Sequence, residues 1–468
     1  MPKARKSQPK KSSSRRKSKK ATVLERINLN AAGIDVGAYE HYVAVPEDRA
    51  DPPVRRFEAF TSDLYQIADW LKECGIKTVA MESTGVYWIP LFQVLEERGF
   101  EVKLVNARQV KNVSGRKTDI VDCQWLQQLH TYGLLSGAFR PEQDISVLRA
   151  YLRHRDNLIR IITTHIQHIQ KALVQMNILL HNVISDITGV TGMRIIRAIL
   201  KGERDSVKLA NMKDHRIKSS VHQIAKSLEG DYRQEHLFVL KQAVELYDFY
   251  RELIEECDRV ILSHMEKFQP RVDLELKPLP PSKSSHKKPQ RNEPTVDWRT
   301  ALYTMTGVDL TSIPGINASI AETVISEIGL DMSAWATEKK FSAWLGLSPQ
   351  NRISGGKILS RSSRKFINRA AQALRMAANS LTNSKSALGA FLRRLRSRLG
   401  PAKAIAATAH KLARIVYHML KFGQEYVDAG EKYYEQMYRN RVVKSLQKRA
   451  QSLGYALVPF QQLTEVVS

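Results

Sequence analysis

Ala31-Ala32-Gly33-Ile34-Asp35-Val36-Gly37 is an apolar run that admits one charge, Asp35, just before it closes on a glycine. Further on, Thr78-Val79-Ala80-Met81-Glu82 repeats the arrangement, with an acid at the end of an apolar stretch. Apolar runs of this length bounded by turn residues read as buried strands. Around them, residues 41–46 form a second strand after a tight turn at Gly37, and residues 54–60 a third. A helical pattern (Leu64, Ile67, Ala68, Leu71) stops at Gly75, the usual residue just past a helix C-terminus. A helix over 86–98 ended by Gly99, a strand over 102–105 and a helix from Thr118 to Tyr132 complete the series. Three strands followed by αβαβα predict an α/β layered sheet with room for a site at the strand ends.

The chain of 468 residues is 43% hydrophobic, enough to bury a substantial core, which excludes a wholly disordered protein. It carries 73 Lys+Arg against 47 Asp+Glu, a net charge of +26, which points to a polyanionic partner, nucleic acid before an anionic membrane. The excess is localised. Residues 1–20 hold ten Lys/Arg and no acid, and residues 352–450 hold 22 against four. The first stretch reads as a solvated tail and the second as a folded basic face. No run of eighteen apolar residues and no charged-then-apolar leader is present, so no membrane association is expected. Cys74, Cys123 and Cys257 are too scattered for a disulfide framework or zinc knuckle. A cytoplasmic, nucleoid-associated protein is expected.

From Ile145 to Val183, twelve positions follow unbroken 3-4 spacing and all but Arg155 are apolar, predicting a long coiled-coil helix. A second helical stretch from Leu237 to Met265 could return antiparallel or pair with another subunit. His154, His165, His168 and His181 near the first helix read as packed or solvated rather than metal-binding. Residues 270–294 carry six prolines and read as a linker. The remainder is mostly helical, interrupted at Ser354-Gly355-Gly356. The expected division is a basic tail over 1–28, an α/β catalytic domain over 29–142, a coiled-coil region over 143–268, a linker over 269–297, a mainly α domain over 298–440 and a tail over 441–468.

Four acids stand out. Asp35 and Glu82 close buried strands, where an ionised carboxylate costs several kcal/mol unless it faces a cation. Asp119 and Asp122 lie three apart at a helix start and so share a face. Converging, the four would make an oxygen-rich cage suited to Mg²⁺ or Mn²⁺. Alone, Asp119 could be a charge favoured by the helix dipole and Asp122 a solvated turn residue.

The order Asp35, Glu82, Asp119, Asp122 resembles the D-E-D-D set of the DEDD-type insertion-sequence transposases, which include the Piv-type DNA invertases. The strings Gly33-Ile34-Asp35-Val36-Gly37, Met81-Glu82-Ser83-Thr84-Gly85 and Lys117-Thr118-Asp119-Ile120-Val121-Asp122 are similar to that family's, as is DITGVTGMRIIRAILKGE from Asp186 to Glu203. The likeness continues through a Pro314-Gly315 turn that resembles a helix-hairpin-helix, then Trp344-Leu345-Gly346-Leu347-Ser348-Pro349 and Arg352-Ile353-Ser354-Gly355-Gly356-Lys357. It implies an RNase H-like, RuvC-like first domain holding divalent metal, and a mainly α transposase domain with a serine nucleophile at Ser354. The residues alone leave Ser348, Ser360 and Ser362 open. The likeness also implies DNA as substrate and a structured noncoding guide RNA; the coiled coil is expected to join a dimer or tetramer, since exchanging strands between two duplexes requires several active sites. Arg352 and Lys357 flank the serine, and Arg361, Arg364, Lys365 and Arg369 follow it, as candidate phosphate ligands. A hydrolytic metal-dependent endonuclease using the same acids, and a non-catalytic nucleic-acid-binding protein, are the alternatives.

Overall fold

The computed structural model describes residues 25–105, 118–282, 292–362 and 368–458. It divides between Arg140 and Pro141 into two compact units.

The first unit is built on strands β1 (Ala31–Val36), β2 (Glu40–Ala44), β3 (Val54–Glu58), β4 (Thr78–Glu82) and β5 (Glu101–Val105), in the spatial order β3-β2-β1-β4-β5. β2 runs antiparallel to β1 and β3, while β4 is parallel to both β1 and β5. Helices α1 (Thr61–Glu73) and α2 (Trp88–Glu97) cover one face. There Ile34, Val36, Val79 and Met81 pack with Ile67, Leu71, Leu91 and Leu95. Helix α3 (Asp119–Thr131) covers the other, where Ala80 and Val105 meet Leu126 and Leu135. Burial on both faces is why β1 and β4 read as continuous apolar runs.

The second unit is mostly helical. Helices α4 (Gln143–Gln175) and α8 (Gln234–Met265) lie antiparallel: His264 meets the Asp144 carbonyl at 2.9 Å, Arg155 pairs with Asp258, and His165 stacks on Tyr250 at 5.3 Å. Much of the apolar seam of α4 is thus filled by α8 of the same chain. α4 also stops short of the predicted end at Val183. Asn177 takes a left-handed conformation (φ 56°), and Leu180–Asn182 forms a single 3₁₀ turn. The spacing of Leu180 and Val183 reflects packing on α5 (Val190–Leu200), α6 (Ser206–Ala210) and α7 (Val221–Ser227) rather than a continuing helix.

Arg155, the polar exception in the seam, is 3% exposed and faces the fully buried Asp258. Its guanidinium also donates to the Asn292 carbonyl and lies over Trp298, whose indole N–H donates to the Asp258 carbonyl. Asp258 accepts a further bond from the Thr295 N–H, so described parts of the proline-rich stretch are tied to the helices. Close by, Glu322 is fully buried, and its carboxyl oxygens find no hydrogen-bond partner among the described residues. Loss of hydration raises this carboxyl well above its ordinary range.

The rest comprises α9 (Trp298–Thr306), α10 (Ala318–Ile328), α11 (Glu338–Trp344), a hairpin of β6 (Gln350–Ser354) and β7 (Lys357–Ser362), α12 (Arg369–Ser380), α13 (Ala387–Leu399), α14 (Pro401–Phe422) and α15 (Gly430–Ser452). α14 is central, packing against α11, α12 and α13. The expected boundary at 440 falls inside α15, whose helix continues to Ser452 because no breaker intervenes before Gly454. The turn at Gly315 packs on α12, where an added Cβ would stand 2.6 Å from the Ala377 carbonyl oxygen. Among the described residues no helix is long and apolar enough to cross a membrane.

Candidate active site

Strand pairing sets the first two acids beside each other. β1 and β4 are in register at Ile34 and Met81, so Asp35 and Glu82 are the next residues on two adjacent parallel strands. Side chains alternate between faces along a strand. Ile34 and Met81 point toward α1 and α2, so Asp35 and Glu82 belong to the face that α3 covers.

Gly33 explains how α3 reaches that face. A Cβ there would lie 2.3 Å from the Gln127 nitrogen and 2.4 Å from the Cys123 carbonyl oxygen, so the α3 backbone rests directly on β1. The far end of α3 is pinned as well. Gln127 donates to the Ala31 carbonyl at 3.3 Å, Asn28 donates to the His130 carbonyl at 2.7 Å, and His130 shares a 2.9 Å hydrogen bond with Thr78. Burial pushes the His130 imidazole down to about 4, so it is neutral at physiological pH.

Held this way, α3 brings its first turn to the strand ends. Thr118 caps it, accepting from the Val121 N–H at 3.3 Å, and Asp119 and Asp122 follow. Two neighbours report the shared field. The buried Cys123 thiol is pushed up to about 12, first by loss of hydration, then by Asp35 and, more weakly, Asp122. Tyr42 is the β2 partner of Asp35; loss of hydration and Glu40 raise its phenol, and Asp119 contributes. Thr84 donates to Glu82 at 3.0 Å. The four carboxylates therefore gather at one end of one sheet.

The donor set is all oxygen, with the Cys123 thiol protonated, and its chemistry fits a hard divalent cation. Among the described residues, however, no three His, Cys, Asp or Glu side chains stand close enough together to hold an ion.

Ser354 lies in the second unit, at the end of β6. Gly355 and Gly356 form the two-residue turn to Lys357, with φ of 55° and 75°. Left-handed conformations at both positions suit glycine and match the twist of a tight hairpin. No atom outside the turn approaches either glycine, and Ser354 and Lys357 are exposed. Arg352 and Arg361 are opposing strand positions one residue out of register, but their side chains, with those of Ser360 and Ser362, lie outside the described residues, as do Arg364 and Lys365 entirely. Arg369, at the start of α12, is engaged by Asp156 at 3.2 Å.

Residues 32–178 match a family model described as Transposase, of the DEDD type named for IS110, and residues 309–393 match one described as Transposase IS116/IS110/IS902 family. Both models describe IS110-family transposase domains, and these two stretches are similar to them. They support a transposase function, an enzyme acting on DNA, and DNA binding is implied. The DEDD transposase family is generally dependent on divalent metal. A search of curated proteins finds no match. The first matched stretch contains all four acids, and the second contains the Pro314-Gly315 turn, Ser354 and the start of α13. Sequence reading passed over Gly33 as a packing contact, Tyr42 opposite Asp35, and Thr84 on Glu82. Only Thr84 carried a visible signal, its place in the string after Glu82.

Proposed function

We propose that this protein is an IS110-family transposase that cuts and rejoins DNA through a phosphoserine intermediate on Ser354, with Asp35, Glu82, Asp119 and Asp122 as the metal-holding acids. The observation that carries the reading is the register that makes Asp35 and Glu82 neighbours on the face covered by α3, whose first turn supplies the other two acids. The strand order β3-β2-β1-β4-β5, with a single antiparallel excursion through β2 and β3, supports an RNase H-like, RuvC-like assignment of this domain.

When bound, Mg²⁺ or Mn²⁺ supplies Lewis acidity toward the phosphodiester. The Ser354 hydroxyl, open at the hairpin tip, attacks phosphorus and releases its proton. The phosphorus–oxygen bond to one deoxyribose breaks, and that oxygen takes up a proton. The bond energy stays in the serine phosphodiester, so a new DNA hydroxyl can reverse the step and join a different strand. Lys357, beside the turn, places a positive charge within reach of the phosphate Ser354 attacks. Arg352, Arg361, Arg364, Lys365 and Arg369 remain candidate backbone ligands, Arg369 after release from Asp156. On its charge the chain acts in the cytoplasm at the nucleoid, as a homo-oligomer joined by its coiled coil, and by the family resemblance it is guided by a structured noncoding RNA.

The test is strand cleavage of labelled DNA spanning the element junction, with purified full-length protein, its copurified RNA and Mg²⁺, on a denaturing gel. A covalent protein–DNA band lost in both Ser354→Ala and Asp35→Ala is expected. Cleavage without such a band, retained in Ser354→Ala, would replace this reading with a hydrolytic nuclease.

A further inference from the structure

The C-terminal helices gather cations at a place that neither the acids nor the hairpin uses. Lys411 of α14 is half-buried over two rings, its Nζ 4.6 Å from the centroid of Phe391 and 5.6 Å from that of Tyr434. Those rings meet edge to face at 6.1 Å and fix the first half of α15 to α13. Arg394 lies over the Tyr438 ring, the charges of Arg394, Arg441 and Arg398 act on Tyr434, and those of Arg441 and Arg414 act on Lys411.

Two nearby cations are neutralised: Arg414 by Glu338, and Arg393 by Glu431. Among the described residues Lys411, Arg394, Arg398 and Arg441 have no ion-pair partner. Like charges held together without a counter-charge repel one another. Loss of hydration followed by Arg441 and Arg414 accordingly pulls the Lys411 ammonium below its ordinary value.

The second half of α15 extends the same feature. No residue of this helix is buried, and no acid occurs from Gln436 to Thr464. Arg441, Lys444 and Lys448 are exposed and follow i, i+3, i+7 spacing, so they form one stripe about 10 Å long. That is the axial length of about three nucleotides of a strand.

We propose that this cluster and stripe are a separate binding surface for a nucleic-acid phosphate backbone. Lys411, Arg394, Arg398 and Arg441 receive phosphates at the junction of three helices, and Lys444 and Lys448 continue the track along α15. It lies beyond both matched domains apart from the residues before 394. The proposal takes only the class of its ligand from the transposase reading. DNA and RNA share the required chemistry. The opposite face of α15 exposes Val443, Leu446 and Leu453, so an anionic bilayer is the competing partner for such a helix.

The test titrates full-length wild type, Lys444→Gln/Lys448→Gln and Arg398→Gln against NaCl. The probes are a duplex DNA, a structured RNA hairpin and vesicles of phosphatidylglycerol. All three substituted residues are exposed, and circular dichroism confirms that the fold is kept. The double variant is expected to lower the slope of log K against log salt by about 2 on duplex DNA, or by somewhat less on RNA, and Arg398→Gln by about 1. The probe whose slope falls identifies the nucleic acid. Unchanged slopes on both nucleic acids, or a loss confined to vesicles, would overturn the proposal. Normal DNA cleavage by wild type with unchanged slopes in the variants sinks this surface alone. Slopes that fall as expected in a protein that never cleaves DNA sink the transposase reading alone.

Discussion

At the acid end of the sheet, Asp35 and Glu82 ride on strands packed on both faces, whereas Ser354 sits at the tip of a hairpin whose strands pair chiefly with each other. β1 is locked to α3 through a glycine that leaves no room for a methyl group, while a Cβ at Gly355 or Gly356 would meet nothing within 4 Å among the described residues. Groups that must share a cation need positions set closely by their surroundings. A nucleophile that must reach a phosphate in a bulky duplex benefits from exposure instead. The two halves of the proposed chemistry thus ask different things of the fold.

The largest expected effect sharpens this contrast. Asp35→Asn and Ser354→Ala should each lower strand transfer on the order of 10³-fold or more. They should differ in Mn²⁺ binding followed by calorimetry, which Asp35→Asn weakens and Ser354→Ala leaves unchanged. Equal loss of metal binding in both would break the comparison.

Stability should divide the two regions next. Gly33→Ala drives a Cβ into the α3 backbone and should cost about 3 kcal/mol in urea unfolding, since the atoms in the way are main chain. Gly355→Ala meets no neighbour and should cost about 1 kcal/mol, from its left-handed conformation alone. A hairpin substitution as damaging as Gly33→Ala would show that the hairpin is packed after all.

The smallest effect concerns pH. His130 is held neutral with a folded value of about 4, below the ~6.5 of an unfolded histidine. Below pH 6.5 the unfolded chain takes up a proton that the folded chain refuses. Its contribution is therefore complete above about 6.5 and falls away as pH drops toward 4, by on the order of 2–3 kcal/mol. His130→Gln should flatten that part of the stability curve for the first unit. The hairpin, residues 350–362, holds no histidine or acid and should add no pH dependence there.

The sheet was legible because β1 and β4 are buried on both faces, so their apolar runs were unbroken apart from the acids. Asp35 and Glu82 were legible for the same reason, each being the one charge in its strand, and Asp119 and Asp122 by their spacing at a helix start. What the sequence hid depends on tertiary pairing. The 3-4 spacing past Gln175 looked like more helix, yet Asn177 turns the chain. Nothing in a heptad pattern tells whether its partner is the same chain, and α8 turned out to fill much of the seam. Glu322 lies in Ala318–Ile328 at a position any surface glutamate could occupy, and only the surrounding helices make it buried. Gly33 read as a strand glycine, and its contact with α3 arises across some ninety residues of sequence.

The most direct measurement is the mass of the peptide that remains attached to DNA. The full-length protein, trapped with Mg²⁺ on junction DNA and digested with protease and nuclease, should yield one peptide carrying a nucleotide phosphate, and fragmentation should place it on Ser354. A nucleotide on Ser348, Ser360 or Ser362, or complete cleavage with no modified peptide, would contradict the account.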